Sequence, residues 1–252
     1  MRNFSAFLLL IVFTFAGVAD AQTDYSREGL DAAKAGNWDK AIENFKQAVE
    51  ANPNDRNVNY NLGLAYRQRG LDEIKKENWD GAIADLTETL KRNQGDTTAR
   101  RFRGFAYLRK GNWKDALQDY DTVLKEKKND PEALNRRAYV HLEMLDTDKA
   151  IADYSTILKD KPNDFDALLG RSHVYELTNK PDKGLADINA ALKIKPNDGD
   201  AVNRKKRLEA MDRKMNPTPI PTPVLAGTPI PRASNTPKPK SSPKASVTPS
   251  PH

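Results

Sequence analysis

The stretch GNWDKAIENF, residues 36–45, decides the fold of this chain. It returns in altered form as ENWDGAIADL at 77–86 and as GNWKDALQDY at 111–120. Each copy has a tryptophan, a small residue three positions later and a large apolar residue four positions after that. These intervals put the three side chains on one face of an α-helix, because a helix turns once in about 3.6 residues. The stretch therefore predicts a recurring amphipathic helix.

The helix belongs to a longer repeat with a period of about 34 residues, which indicates stacked helical units that each bury an apolar face on a neighbour. Trp79 and Trp113 are one period apart, and so are Ala116 and Ala150. The same interval joins three further sets of residues of similar character: Tyr120, Tyr154 and Ile188; Leu124, Leu158 and Leu192; Asp119, Asp153 and Asp187.

Each unit is predicted to contain two helices with recognisable ends. We expect Asn37 to cap the second helix of the first unit and Asp39 to stabilise its first turn. Pro181 takes the tryptophan position in the last unit and suits the first position of a helix. Gly70 and Gly111 are expected to close the first helices of their units. Prolines at one common phase are expected to end second helices: Pro53, Pro162 and Pro196.

Two kinds of residue recur within the second helices. Small side chains would let two helix backbones approach closely: Ala41, Ala82, Ala116, Ala150 and Gly184. Large side chains would fill the space to the next helix: Phe45, Leu86, Tyr120, Tyr154 and Ile188. The tryptophans are expected to open the second helix and to fill the corner between helices: Trp38, Trp79 and Trp113.

These residues, with Leu62-Gly63-x-x-Tyr66 and Gly104-x-x-Tyr107 in the first helices, resemble the tetratricopeptide repeat family. The resemblance covers five units, at 22–55, 56–96, 97–130, 131–164 and 165–198. It implies an all-α fold, a right-handed α-solenoid of five tetratricopeptide-type helix pairs whose first helices line a concave face. It also implies that the chain binds peptides or proteins and is not an enzyme.

The second unit departs from the pattern because it extends from 56 to 96 and is seven residues longer than the others. Seven residues are close to two helical turns, so an insertion of this size keeps the apolar face in register. The helix-favouring segment LDEIKKE, 71–77, is taken as the extra sequence. It predicts a longer first helix or a helical extension, with a loop as the alternative. Gln94 and Lys128 also replace the closing proline in units 2 and 3.

The two ends of the chain have their own character. Residues 1–21 have a positive start, the apolar run 4–18 and the small-x-small pattern Ala19-Asp20-Ala21, which predict a signal peptide and an exported, periplasmic or secreted protein. An uncleaved anchor is the alternative. No other apolar stretch is long enough to span a membrane, so no span is expected after cleavage.

The C-terminal part divides into a helix and a tail. Residues 199–215 are predicted to form a capping helix, in which Ala201, Val202, Leu208 and Met211 cover the last repeat. A basic set is expected to face water, although it could instead bind phosphates or lipid headgroups: Arg204, Lys205, Lys206 and Arg207. Residues 216–252 hold 11 of the 16 prolines and predict a disordered basic tail, either without a partner or touching cell-envelope polymers.

The sequence offers little catalytic chemistry. It has no cysteine, no phosphate-binding loop and no His-x3-His spacing. His141 replaces the aromatic residue of other units and is expected to pack. The aspartates that recur once per repeat are expected to form surface or inter-repeat hydrogen bonds. No enzyme activity, cofactor or metal is therefore expected.

The concave face is the expected binding site. Arginines there are suited to a partner's carboxylate, and aromatic residues to its apolar anchors. The family's clamp for a C-terminal carboxylate is not reproduced, because Ser26 and Leu30 occupy its positions in unit 1. By the family pattern, the inward-facing residues are Asn57, Tyr60, Leu64, Arg67, Gln68, Arg101, Phe105, Leu108, Arg109, Asn135, Tyr139, His173 and Glu176.

Two functions follow from these features. The first is an exported scaffold that binds a peptide or a helical segment of a partner protein in the concave groove. The alternative is a structural, envelope-associated spacer that is tethered by its proline-rich tail. Nucleic-acid binding is not expected, because the repeats are nearly neutral and the chain carries an export signal.

Overall fold

The structure is a computed structural model that describes residues 24–216. The predicted signal peptide, 1–21, and the tail beyond Asn216 lie outside this range. The regular secondary structure of the described residues is entirely α-helical. The helices are α1 (24–34), α2 (Trp38–Ala51), α3 (Arg56–Lys75), α4 (Trp79–Arg92), α5 (Thr97–Arg109), α6 (Trp113–Glu126), α7 (Pro131–Glu143), α8 (Thr147–Asp160), α9 (Phe165–Leu177), α10 (Pro181–Ile194) and α11 (Gly199–Met215).

Each helix packs on the helices before and after it, so the five pairs form one continuous array. The roles predicted for the recurring residues are confirmed. Ala41, Ala82, Ala116 and Ala150 are wholly buried, and the large residues at the second position are buried beside them. In the last unit Leu208 of α11 lies against Gly184, where a side chain would leave no room. A single unit thus lacks the interior that its neighbours supply.

Polar side chains cap the helices from α2 to α11 except α8 and α10. Asn37 accepts a hydrogen bond from the backbone N–H of Lys40, as predicted, and Asn78 and Asn112 cap α4 and α6 in the same way. Aspartates cap the first helices after α1 and the final helix: Asp55, Asp96, Asp130, Asp164 and Asp198. Helices α4 and α6 end at the same repeat position as the other second helices although neither is followed by the closing proline. The aspartate that caps the next helix is therefore sufficient to end a second helix.

In units 2 to 5 the first and second helix are joined by an arginine–aspartate pair whose aspartate is buried. In units 2 to 5 an arginine of the first helix donates two hydrogen bonds of 2.6–2.9 Å to an aspartate 16 residues later. These bidentate pairs have the geometry in which arginine binds a carboxylate most strongly. The pairs are Arg69–Asp85, Arg103–Asp119, Arg137–Asp153 and Arg171–Asp187.

The same arginines also reach the preceding unit. Nη1 of Arg103 donates to Thr87, that of Arg137 to Asp121 and that of Arg171 to Ser155, at 2.7–3.2 Å. Each acceptor lies on the second helix of the unit before. The expectation of an inter-repeat or surface hydrogen bond for the aspartates was therefore wrong. The aspartates are buried and bind within their own unit, while the arginines bridge the units.

Helix α3 has 20 residues, so the prediction of a longer first helix is confirmed. The position of the extra turns depends on the neighbouring helix with which α3 is aligned. Toward α4, Arg69 binds Asp85 and Gly70 lies against Leu86, which is the arrangement that recurs one repeat later in α5 and α6. In this register the additional two turns are residues 56–62, whereas alignment toward α2 places them at 69–75, which overlaps the predicted segment 71–77. Gly70 lies inside the helix and does not close it, whereas Gly111 ends α5 with φ +74° as expected.

Toward α2, the same helix follows a second register. Nη1 of Arg69 donates to Asp39 at 2.7 Å, and one unit later Lys110 binds Asp80 in the same manner. When α3 and α5 are aligned at their first residues, their contacts with the preceding unit match. When the two helices are aligned at their last residues, their contacts with the second helix of their own unit match. The first unit is therefore displaced by two turns, about 10 Å along the helix axis. Both registers use one face because seven residues nearly complete two turns.

The predicted helix over 199–215 is present as α11. Ala201 and Leu208 are fully buried against the last pair, and Val202 and Met211 are partly buried. The expectation that all four basic residues face water was wrong for Arg204. Its side chain is 13% exposed and pairs with Glu176 at 3.0 Å, so it belongs to the contact between α11 and α9.

We expect Asp119→Ala to lower the free energy of unfolding by about 3 kcal/mol, because it leaves the guanidinium of Arg103 half-buried without its carboxylate. Urea unfolding followed by circular dichroism measures this change. Glu43→Ala is the matched control, since Glu43 is exposed in the interior of α2 and has no ion pair among residues 24–216, and it should change stability by less than about 0.5 kcal/mol. Equal effects of the two substitutions would contradict the role of the buried pair.

Leu145 lies between α7 and α8 with φ +61° and is 85% exposed. Other units place Gly36, Gly111 and Asn179 in this left-handed conformation, which disfavours a branched side chain. We expect Leu145→Gly to raise the free energy of unfolding by about 1 kcal/mol. Glu43→Gly, at an exposed position inside α2, should lower it by about 1 kcal/mol. Destabilisation by both glycines in urea titrations would show that Leu145 is not strained.

Candidate functional site

The first helices of the units place the predicted groove residues in a series of separate environments. At the N-terminal end, a pocket of about 310 Å³ lies between α1, α2 and α3. It brings together three predicted residues, Leu64, Arg67 and Gln68, beside Trp38. The other residues of its wall are Leu30, Ala33, Lys34, Phe45, Asn61 and Ala65.

Two of the three arginines predicted to bind a partner's carboxylate already bind internal ones. Arg67 pairs at 2.9 Å with Asp96, the cap of α5. Arg101 lies 2.5 Å from Glu132 and 3.7 Å from Asp130, the cap of α7. These pairs join the middle of one first helix to the start of the next. Arg67 and Arg101 therefore hold adjacent units together.

The third arginine, Arg109, lies on an aromatic pair in the middle of the groove. Trp79 and Phe105 meet edge to face with 5.9 Å between ring centroids. The Arg109 guanidinium lies 4.9 Å from the Trp79 ring, and the Arg136 guanidinium lies 4.7 Å from the Phe105 ring. This stack fills the corner between units 2 and 3. Arg109 is half-exposed, and its guanidinium lies 4.0 Å from the exposed carboxylate of Glu77.

A small cavity of about 70 Å³ lies next to this stack, between α5 and α7. Arg101, Phe105 and Arg136 form part of its wall, and Tyr120 forms its floor. The buried Tyr120 hydroxyl has no hydrogen-bond partner among residues 24–216, and its burial raises the pKa of the phenol.

The remaining central residues are more exposed. Asn57 and Tyr60 point to solvent near the start of α3, and Leu108 is buried in α5. Tyr139 is 43% exposed and donates to Glu143, which raises the pKa of the phenol. Asn135 borders an acidic pocket of about 410 Å³ at the starts of α7 and α9, with Glu132, Asp164 and Asp166 in its wall.

The C-terminal end of the groove is closed by charge pairing. Glu176 receives Arg204 at 3.0 Å and Arg207 at 2.5 Å. Burial raises the pKa of Glu176, but the two guanidiniums outweigh it and hold the pKa below its usual range. His173 lies 3.8 Å from Glu176, and burial together with Arg204 lowers its pKa. Glu176 and His173 thus take part in the contact between α9 and α11.

His141 is buried, so its predicted packing role is confirmed. It borders a fourth cavity, of about 390 Å³, with Arg137, Asp121 and Lys149 in the wall. Burial lowers the pKa of His141. Among residues 24–216, no three histidine, aspartate or glutamate side chains are arranged to bind a metal ion.

Sequence reasoning missed two sets of residues. The bridging arginines recur once in each of units 2 to 5, always 16 residues before the repeating aspartate. This common spacing could have been recognised in the sequence. Leu30 and Trp38 belong to the groove through the N-terminal pocket. The shape of that pocket had no signal in the sequence, because it depends on how α1 and α3 pack.

An open array of helix pairs with a concave surface of first helices is an α-solenoid, a class of protein that serves as a scaffold for protein–protein interaction. The chain belongs to the tetratricopeptide repeat family. One "Tetratricopeptide repeat" profile matches residues 68–131 and 135–199, just over half of the chain, and a "TPR repeat" profile matches 29–70. The two matches meet at 68–70, inside α3, where the two registers of the array also meet.

Solved structures share this fold. A tetratricopeptide repeat protein from Parabacteroides merdae is 21% identical, with 77% of this chain and 75% of that chain covered and a TM-score of 0.58. YrrB, described as having an unusual peptide-binding site, is 18% identical, with coverages of 72% and 90% and a TM-score of 0.59. MamA is 21% identical, with coverages of 81% and 100% and a TM-score of 0.54. A search of curated proteins finds no significant match.

These neighbours establish the right-handed α-solenoid and nothing about a specific ligand. Within residues 24–216, none of the helices combines the length and the apolar character that a membrane crossing requires.

We expect acidification from about pH 7.5 to about pH 5.5 to destabilise the parent protein more than the His141→Tyr variant. The pKa of His141 is below its ordinary value of 6.5 in the folded protein, so the unfolded chain takes up a proton first as the pH falls. Tyrosine stands at the equivalent positions 107 and 175 and does not titrate in this range. Urea midpoints at both pH values measure the difference, and parallel losses in the two proteins would refute it.

Proposed function

We propose that this protein works after export as a binding scaffold that holds an extended or helical segment of a partner protein along its concave surface. The observation that carries the proposal is the exposure of large side chains on that surface. Leu30 is 41% exposed and Tyr60 is 54% exposed, while Tyr139 is 43% exposed. Large exposed apolar and aromatic groups on a concave face are typical of protein-binding sites.

The internal pairing of the groove supports binding by shape and apolar contact over binding by charge. Arg67, Arg101 and Glu176 are already paired with residues of the chain itself. A partner that used them would have to break these pairs. The side chains that remain available are the aromatic and aliphatic ones and the stacked Arg109. Binding of this kind needs no covalent step, and we propose no enzymatic activity, cofactor or metal.

Two further parts of the proposal come from outside the groove. The similarity to YrrB, a protein with a peptide-binding site, supports a peptide or an unfolded segment as the ligand. The sequence pattern of residues 1–21 supports export to a periplasm or to the exterior, and fractionation of the producing cells tests it. Contact of the basic tail with envelope polymers remains a secondary proposal, tested by deletion of residues 217–252.

Photo-crosslinking in the producing cells tests the groove directly. A benzoyl-phenylalanine is placed at position 60 or 139 in the groove, or at position 118 as a control. Gln118 is exposed on α6, a second helix that lies outside the groove. We expect one protein adduct of the same mass from positions 60 and 139 and none from position 118. Adducts from position 118 alone, or different adducts from every position, would contradict the proposal.

A matched pair of variants measures the strength of the contact. Tyr60→Ser with Tyr139→Ser removes two exposed rings that pack little in the free protein, so the fold should persist. We expect the crosslinked partner to bind at least about tenfold more weakly, as for loss of aromatic anchors. Deletion of 217–252 should leave this affinity unchanged. Loss of affinity only in the deletion variant would favour the tethered spacer.

A further inference from the structure

The second junction between adjacent units contains an aromatic pair that the first junction lacks. Trp79 opens α4, and Phe105 is the ninth residue of the next first helix, α5. The two rings meet edge to face. Trp38 opens α2, and the residue at the same spacing from it, again ninth in its helix, is Leu64 of α3. An aliphatic side chain thus stands where the next junction has an aromatic ring.

The first junction is correspondingly open. No aromatic ring pairs with Trp38 among residues 24–216, and the pocket of about 310 Å³ lies beside it. Its volume is at the lower end of the range for ligand pockets, and most of its wall is apolar, as in such pockets. Phe45, Leu30 and Leu64 belong to its wall.

The charged residues of the pocket wall favour a particular charge next to the aromatic ring of a bound ligand. Lys34 and Arg67 are the charged residues of the pocket, and no acidic residue belongs to it. Arg67 is bound to Asp96, whereas Lys34 is exposed and pairs only with the exposed Asp31 at 3.2 Å. A ligand with a carboxylate close to its ring would therefore meet a cation at the rim and no repelling carboxylate in the wall.

We propose that the first junction binds an aromatic side chain of the partner protein against Trp38, next to an acidic residue of the same segment. The partner's ring would take the place that Phe105 takes against Trp79. The proposal rests on the groove function and adds the chemistry of its N-terminal anchor. The protein itself shows that an aromatic ring fits this corner, because the neighbouring junction holds one.

The test uses 3-phenylpropionate, a ring joined to a carboxylate, as a probe of the full chain. The indole N–H signals of Trp38, Trp79 and Trp113 are followed by two-dimensional NMR and assigned with single Trp→Phe variants. We expect a saturable shift of the Trp38 signal with a Kd on the order of millimolar, as for a ligand of this size. The signals of Trp79 and Trp113 should stay in place. Butyrate, which has the carboxylate but no ring, should not shift Trp38.

Leu64→Phe is the decisive variant, because it gives the first junction the residue of the second. We expect this variant to fold, as judged by its melting curve, and to lose the response of Trp38 to the probe. Lys34→Glu changes only an exposed residue and tests the charge. The parent protein should prefer 3-phenylpropionate over its uncharged amide by about threefold, and Lys34→Glu should abolish this preference.

The outcomes separate the anchor from the groove function. No saturable shift of Trp38, an equal shift with butyrate, or an undiminished shift in Leu64→Phe overturns the aromatic anchor. A preference for the carboxylate that persists in Lys34→Glu overturns the acidic neighbour. If these tests fail while positions 60 and 139 still crosslink a partner, the groove function stands without this anchor. If the probe binds but no partner crosslinks, the pocket stands and the groove function fails.

Discussion

The buried arginine–aspartate pair is the interaction on which the rest of the array depends. It joins the two helices of a unit and reaches the unit before, so one side chain determines the orientation of three helices. Its geometry requires that the arginine and the small residue after it lie on the face of the first helix that contacts the second helix of the same unit. A change in helix length is therefore tolerated only if it is close to a whole number of turns.

Helix α3 shows this constraint at work. Seven extra residues turn the helix by nearly two full turns, so Arg69 can bind Asp85 in one register and Asp39 in the other. The first unit keeps its contacts while it is displaced along the axis. The buried apolar residues of the first unit accordingly form a cluster of their own with the first half of α3.

The groove and the framework compete for the same charged residues. First-helix arginines that face the groove bind the caps of the next unit, and Glu176 binds the terminal helix. The charges thus hold adjacent units and the terminal helix together. The apolar and aromatic side chains that no neighbour covers are left for a ligand, chiefly at the first junction and along α3 and α7.

The sequence by itself determined the class of fold, the cap at Asn37, the start of α10 at Pro181, the burial of the alanine and aromatic positions and the final helix at 199–215. These features depend on local helix periodicity and capping, which short stretches encode. Only the tertiary structure decided which register α3 follows, because the motif at Leu62-Gly63 and the one at Arg69-Gly70 fit the repeat equally well on one helix face. It also decided that Arg67 and Arg101 bind internal carboxylates and that Trp38 borders an open pocket, since both depend on how far apart neighbouring units lie.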